Sequence, residues 1–381
     1  MSDFGQKSID LHRKYRGKLE VKPVVNVENR DDLSTVYTPG VAAPCLEIAK
    51  DAALAKELTI KGRTVAVVTD GSAVLGLGNI GPAAALPVME GKALLFKEFA
   101  NLDAFPIALD TQDVDGIVET VKRIAPVFGG INLEDIAAPR CFEVEKRLIE
   151  ELDIPVMHDD QHGTAIVVLA GLMNAVNVTG RDLTTARIVF SGAGAAGIAS
   201  AKLLREFGAS DIVLVDSVGI ISRDRSDLND FKKELLAWTN HREVGGSLSD
   251  ALKGADIFIG VSRAGLLKPE LIKSMAPNPI IFAMANPMPE ILPDEAKAAG
   301  AAVVATGRSD FPNQVNNLLA FPGVFRGVFD AGATRITTKM KLAAARALAG
   351  YVGKPTADRI IPDPLDKKVA RAVAEAVKNA A

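Results

Sequence analysis

Residues 187–216 read RIVFSGAGAAGIASAKLLREFGASDIVLVD. An apolar run, 187–192, ends in the pattern G-x-G-x-x-G at Gly192, Gly194 and Gly197. That pattern opens a helical stretch, and a second apolar run, 211–216, ends in Asp216, 19 residues after Gly197. This is the arrangement that binds a dinucleotide. Glycines admit the pyrophosphate, a helix N-terminus offers free N–H groups to it, and the acid at the end of the second strand takes a ribose hydroxyl. Gly192, Gly194, Ala195, Ala196 and Gly197 would line the pyrophosphate turn. Asp216 favours NAD over NADP, because a 2′-phosphate would meet a carboxylate. Arg223 and Arg225 follow and could bind such a phosphate, so either cofactor stays open.

Similar runs lie on both sides of this unit. Downstream, 256–262, 279–286 and 301–307 are nearly continuous in Val, Ile, Ala and Phe. Upstream, strands are expected at 64–70, 105–110, 129–135 and 154–159, with helices at 43–58, 82–100, 113–124 and 140–152. Strands buried on both faces read this way, so the expectation is α/β: parallel sheets covered by helices. A helix over 163–178 would join an N-terminal α/β substrate and metal domain (1–162) to a C-terminal Rossmann-like, doubly wound NAD(P)-binding domain with C-terminal helices (163–381).

The composition is ordinary. The chain has 381 residues, 48% hydrophobic and 24% charged, with a net charge of −3. Nothing in it forms a basic footprint for nucleic acid or an anionic membrane. The uncharged run 163–180 is interrupted by Asn174 and Asn177, which argues for a buried helix rather than a membrane span. Two cysteines are too few for a disulfide framework, and the charged N-terminus lacks a secretory apolar region. A reducing, cytoplasmic setting is expected.

A second G-x-G-x-x-G, at Gly76, Gly78 and Gly81, sits several residues beyond its strand. No acid ends a following strand at the right spacing, so it reads as a tight loop near the substrate. The chemistry concentrates at VMHDDQHGTA, 156–165. Two histidines and two carboxylates there could hold a metal, cap a helix, or both. A second acidic pair, Glu134 and Asp135, also ends an apolar strand. Four carboxylates on one rim are tolerable around a cation, and oxygen donors suit Mg²⁺ or Mn²⁺. The rivals are zinc at His158 and His162, and an Asp159 or Asp160 N-cap with the rest solvated.

The segments HDDQHGTA, INLEDIAAP, VYTPGVA, DGSAVLGLGNIGPAAALPVMEGK, ANPMPE and GRSDFPNQVNNLLAFPG together resemble malic enzyme, in its short bacterial and archaeal form. The matches run in order from Tyr37 to Gly323. The resemblance implies oxidation of malate with NAD or NADP and its decarboxylation to pyruvate and CO₂, with Mg²⁺ or Mn²⁺. Residue by residue, it implies Glu134, Asp135 and Asp160 as metal ligands, Tyr37 as general acid and Lys92 as general base. It also implies that Asn286, which would touch the cofactor as well, and Asn317 join Lys92 in holding the substrate; Asn316 is the alternative register. Larger eukaryotic relatives carry an arginine where this chain has Ala73, so loop N–H groups from Gly76 to Gly81 are the expected substitute. The family suggests a homodimer, with an active site shared between subunits left open. Read from the residues alone, Tyr37 is a buried turn tyrosine and Lys92 a solvated helix lysine like Lys97. The alternative function is a metal-independent amino-acid dehydrogenase with a similar two-domain plan.

Overall fold

The computed structural model describes residues 3–381. Two parallel sheets form the frame. The first has β1 (Thr64–Thr69), β2 (Asp103–Ala108), β3 (Gly130–Leu133) and β4 (Val156–His158), in the order β2-β1-β3-β4. The second has β5 (Arg187–Ser191), β6 (Asp211–Val215), β7 (Ile257–Gly260), β8 (Ile280–Ala283) and β9 (Val303–Thr306), in the order β6-β5-β7-β8-β9. Every pairing is parallel. This is the α/β architecture expected from the near-continuous apolar runs.

Both sheets reverse their winding in the same way. The first strand of each is flanked by the second on one side and the third on the other. The crevice therefore opens at the carboxyl ends of β1 and β3 in one half and of β5 and β7 in the other, where ligands bind in open α/β sheets. The residues after β1 and β3 are the glycine loop from Asp70 and the pair Glu134–Asp135. The residues after β5 are the Gly192 turn.

The helices of the N-terminal half are α1 (Asp3–Tyr15), α2 (Arg30–Val36), α3 (Ala42–Lys50), α4 (Ala55–Leu58), α5 (Pro82–Ala100), α6 (Val114–Ile124) and α7 (Arg140–Glu151). The expected helix over 43–58 is broken at Asp51, whose side chain caps a short turn at Ala53 N. Helix α8 (Asp159–Thr179) joins the halves, and α9 (Ala195–Phe207) follows the Gly192 turn. By length and composition α8 would cross a membrane, yet its Ile166, Val167, Val168, Leu169 and Leu172 are fully buried. Each stabilises the fold by about 1.5–3 kcal/mol relative to exposure.

One apolar cluster runs through the middle, from Val65 and Phe96 through α8 to Phe190, Phe282 and Phe325. Two smaller clusters cover the outer faces of the two sheets. The C-terminal helices return to pack on this body. Asn174 on α8 donates to the carbonyls of Ala349 and Ile360, both at 2.9 Å. Phe321 and Phe325 of the helix Phe321–Asp330 lie 4.7 and 5.3 Å, centroid to centroid, from Phe96 on α5. These rings tie the helix that carries Lys92 to the C-terminal half.

Candidate active site

Strand β3 ends at Leu133, and the chain turns at Asp135, which holds φ +54°. The adjacent strand β4 ends at His158, and α8 begins at once with Asp159 and Asp160. The helix therefore starts four residues earlier than the sequence reading has it. Neither aspartate is its N-cap. His158 holds that position, without a side-chain cap. The two carboxylates sit instead in the first turn, where the helix dipole favours negative charge. Asp160 Oδ2 accepts the backbone N–H of Asp135 at 2.8 Å, locking the two strand ends together.

Carboxylate oxygens of Glu134, Asp135 and Asp160 lie within 4.8 Å of one another. Asp135 Oδ2 is buried with no hydrogen-bond partner among the described residues. Burial, and then the Asp160 charge, push the Asp135 carboxyl up to about 8. Burial also raises Glu134 well above the usual carboxylate range. Three crowded acids with an orphaned oxygen are a built cavity for a cation, and the all-oxygen donor set fits Mg²⁺ or Mn²⁺.

The zinc alternative fails on geometry. His162 is one turn along α8 and faces away from the acids. Its Nε2 lies 3.0 Å from Glu145 Oε2 and its Nδ1 lies 3.0 Å from Lys341 Nζ, so both nitrogens are engaged. Burial lowers its pKa and keeps it neutral. Glu145 also accepts the His158 backbone N–H at 2.7 Å and the Gln161 amide at 3.0 Å. This network pins α7, α8 and the helix Thr338–Tyr351 together behind the site.

Lys92 does not behave as a solvated helix lysine. It is 7% exposed. Its Nζ donates to Asp159 Oδ2, lies 3.1 Å from Glu134 Oε1 and stands 4.2 Å above the Phe321 ring. Burial alone would lower its pKa, but Asp159 and Glu134 outweigh burial and hold it above the ordinary lysine value. Without a cation, the acids that surround Lys92 keep it protonated. Lys97 is the solvated lysine of this helix, paired with Asp103 at 2.8 Å. Asp159 and Phe321 escape the sequence reading as contributors. Only the doubled acid at 159–160 hints at the first, and nothing local hints at the second.

The glycine loop after β1 closes one side. Ala73 N donates to Asp135 O at 3.0 Å, and the Leu75 N–H reaches the Asp135 side chain. A Cβ at Gly76 would overlap Asn286 O, so the loop after β8 rests directly on this loop. Gly78 is paired with Val74, whereas the backbone N–H groups of Gly76 and Asn79 have no partner among the described residues. They remain available where the family's arginine is replaced by Ala73. Asn286 itself is exposed, held in place from below by buried Glu290, which accepts Ala285 N and Ser262 N at 3.0 Å. Asn317 Cβ lies against Gly163 on α8. Asn316 caps the following turn through Leu318 N at 3.0 Å, so the free amide of the pair is Asn317.

Tyr37 is placed otherwise. It is 67% exposed, not buried. It ends α2, which makes no extended contact with any other element. Among the described residues no hydrogen bond joins it to Lys92, which is held by Asp159 and Glu134.

The Gly192 turn fits a pyrophosphate. Gly192 holds φ +116°, and a Cβ there would lie 2.6 Å from Val261 O. Gly194 stands at the N-cap of α9 with no side-chain cap and open space where a Cβ would point. The N–H groups of Ala195 and Ala196 in the first turn have no acceptor of their own. Asp216 is less free than its spacing suggests. Arg225 donates to both its oxygens at 2.8 and 3.1 Å, Lys232 donates at 2.6 Å, and the N–H groups of Val218 and Gly219 donate at 2.9 and 3.2 Å. A ribose hydroxyl must share these oxygens or displace Lys232. Arg225 is spent on Asp216 and Asp227, and Arg223 donates to Leu236 O. Neither arginine points a free fork at a 2′-phosphate.

Comparison with known proteins gives the same picture over the whole chain. The family model described as malic enzyme, N-terminal domain, matches residues 16–149, and that described as malic enzyme, NAD binding domain, matches residues 161–381. The chain is 59% identical over 379 residues to the bifunctional malic/malolactic enzyme of Bacillus subtilis, covering 99% of this chain and 92% of that protein. It is 57% identical over 367 residues to the NAD-dependent malic enzyme of Geobacillus stearothermophilus, covering 96% and 77%. The crystal structure of the NAD-dependent malic enzyme of Thermotoga maritima superposes with a TM-score of 0.94 at 50% identity, covering 97% of this chain and 98% of that one.

Proposed function

The chain belongs to the malic enzyme family, whose reaction is the oxidative decarboxylation of malate with NAD(P), and we propose that Glu134, Asp135, Asp160, Lys92, Asn286, Asn317 and Tyr37 carry it out. The observation that supports this assignment is the meeting of three carboxylates, one with an orphaned oxygen, beside a buried lysine. A metal-independent amino-acid dehydrogenase has no use for that cluster. Residues 1–162 form the substrate and metal domain and 163–381 the dinucleotide domain, acting as a cytoplasmic homodimer.

Glu134, Asp135 and Asp160 would hold Mg²⁺ or Mn²⁺. The bound ion would polarise the C2 oxygen of malate and later the enolate oxygen, and its charge would offset the acids that otherwise keep Lys92 protonated. The dinucleotide on the Gly192 turn supplies the hydride acceptor. Lys92 Nζ takes the C2 hydroxyl proton. Its hydrogen bond to Asp159 holds the Nζ in place inside the buried site. Asn317 and Asn286 orient the substrate from opposite sides. The N–H groups of Gly76 and Asn79 receive the distal carboxylate as fixed donors, in place of the arginine of the larger relatives. Phe321 under Lys92 excludes water from the proton transfer. Tyr37 returns a proton to C3 of enolpyruvate.

The test is spectrophotometric. Malate-dependent reduction of NAD⁺ or NADP⁺ should require Mg²⁺ or Mn²⁺, vanish with a chelator and return when the ion is restored. Turnover that persists in chelator would overturn the assignment of the acidic triad.

A further inference from the structure

Behind the acidic cluster an open cleft of about 730 Å³ lies between the two halves of the chain. Phe142 of α7, Ile198 of α9, Phe231 and Trp238 form its walls. Four polar residues of its lining, Glu145, Gln161, His162 and Lys341, are not exposed. The volume falls within the ~300–1,000 Å³ of small-molecule sites. The acidic triad, Lys92, the Gly192 turn and Asp216 take no part in the lining. The residues assigned to malate, cation and dinucleotide therefore leave this cleft unused.

The hydrogen bonding of Lys341 is incomplete. An ammonium carries three N–H donors. Lys341 Nζ has one hydrogen-bond partner among the described residues, His162 Nδ1 at 3.0 Å. That bond needs Nδ1 as acceptor, so the His162 Nε2–H donates to Glu145, also at 3.0 Å. The ammonium thus meets a neutral imidazole, with the carboxylate on the far side of the ring. Glu145 spends its other bonds on the Gln161 amide and the His158 N–H. Burial lowers the pKa of Lys341, and the Glu145 charge offsets only part of that. Two N–H donors are left over on a side chain that lines the cleft. Thr338, three residues earlier on the same helix face, brings a hydroxyl to the same lining. A carboxylate matches these donors, with two acceptor oxygens and the charge that the ammonium lacks.

The rest of the cleft describes the body of the ligand. Phe142 and Phe231 stand 4.9 Å apart, centroid to centroid, and join α7 of the first half to the helix Asp230–Leu235 of the second. Trp238 is buried, with the Arg205 guanidinium 5.1 Å from its ring centroid. Among the exposed lining residues, Lys146, Lys202 and Arg205 are balanced by Glu150, Glu206 and Glu234. This balance offers no net charge to a polyphosphate, whereas one under-bonded ammonium suits a single carboxylate.

We propose that the cleft binds a small organic acid with one carboxylate and an aromatic body, the carboxylate on Lys341 and Thr338 and the body among Phe142, Phe231 and Trp238, and that its occupancy tightens the cation site. The coupling runs through Glu145. The carboxylate that receives His162 also holds the His158 N–H at the N-cap of α8, and Asp159 and Asp160 follow directly. A ligand carboxylate neutralises the Lys341 charge behind these acids, and removing a like charge favours a cation among them. By reciprocity the cation tightens the ligand by the same factor.

Trp238 is the only tryptophan of the chain, so its fluorescence reports on the cleft. Titration with 3-phenylpropionate should change that fluorescence saturably. The neutral 3-phenylpropanamide, of the same shape, should bind roughly ten- to hundredfold more weakly, as should the acid to Lys341→Gln, because each loses a charged hydrogen bond. Thr338→Val, at the exposed start of its helix, keeps the test open should Lys341→Gln not fold, and should weaken the acid roughly two- to tenfold. Lys202→Gln, among the balanced exposed charges, should change little. Equal binding of acid and amide, or an acid that ignores both Lys341→Gln and Thr338→Val, would overturn the proposal. ATP competing more strongly than the acid would overturn it too and make the cleft a nucleotide site. In calorimetry, saturating 3-phenylpropionate should tighten Mn²⁺ binding about fivefold or more; an unchanged Mn²⁺ affinity would overturn the coupling. The fluorescence readout uses neither cation nor turnover, so its failure is distinct from a failure of the catalytic assignment.

Discussion

Gly163 is the position where one methyl group tests the geometry of the site. It lies in α8, one turn beyond Asp159. A Cβ built there would overlap Asp159 Oδ1, lie 2.8 Å from Asp159 Cγ and 3.1 Å from Asn317 Cβ. Ordinary carbon contacts are about 3.5–4.0 Å, so relieving the Cγ contact alone would take a withdrawal of roughly 0.7–1.2 Å, and the Oδ1 overlap demands more. It has little room, being buried and bonded to Lys92. Two effects compete in the stability of Gly163→Ala. Alanine gains about 1 kcal/mol over glycine in a helix interior. Overpacking costs about 1–3 kcal/mol. The net destabilisation is thus about 0–2 kcal/mol, small enough for the protein to fold. Activity does not benefit from this cancellation. A misplacement of about 1 Å near the reacting groups costs on the order of 10²-fold in rate, so kcat/KM for malate should fall about a hundredfold while the fold survives. Gly350→Ala is the control. It sits in the helix Thr338–Tyr351 with nothing within 4 Å of its Cβ position; Tm should rise slightly and kcat/KM should not change. Steady-state kinetics and thermal denaturation on both variants decide the matter. If Gly163→Ala raises Tm and keeps its kcat/KM, then Asp159 does not need its place beside Lys92 and the site is wrongly assembled.

Asp160→Ala should abolish malate turnover and Mn²⁺ binding in calorimetry while leaving dinucleotide affinity within about twofold, because the two sites lie at the ends of different sheets; near-normal turnover in Mn²⁺ would refute the ligand role. Lys92→Ala should slow malate oxidation by about 10²–10⁴-fold, with partial rescue by a small neutral amine, whereas Lys97→Ala, whose ammonium only pairs with Asp103, should be silent; essential Lys97 and dispensable Lys92 would reverse the assignment. For Asp216, burial is outweighed by the hydrogen bonds from Arg225, Lys232 and the turn N–H groups, which hold its pKa below the ordinary 3.8. The stability from this pairing is complete above that value and is lost as pH falls through and below it. Asp216→Asn should therefore lower Tm at neutral pH and flatten its decline below about pH 4; an unchanged acid limb would show that the pairing contributes nothing.

What local chemistry dictates could be read from the chain alone. Nine apolar runs become nine strands because a strand buried on both faces needs continuous Val, Ile, Ala and Phe, and that requirement is met within each run. The glycine spacing at 192–197 specifies its turn because positive φ at Gly192 and close approach at Gly197 are properties of those few residues. The acids at 134–135 and 160 meet because each follows a strand in one parallel sheet, and parallel strands end on the same side. What lies between distant segments was decided only by packing. Lys92 and Asp159 are far apart in sequence, and Phe321 is farther still; that they form one buried cluster depends on how α5, α8 and a C-terminal helix settle on a common core. The same holds for His162, drawn away from the acids by Glu145 and by Lys341 from the C-terminal half. It holds for Asp216, whose oxygens are claimed by Lys232 from a helix beyond its own strand. Tyr37 shows the limit most clearly. A tyrosine beside Pro39 and Gly40 reads as a buried turn residue, but burial is a property of what covers a side chain, and among the described residues little covers Tyr37.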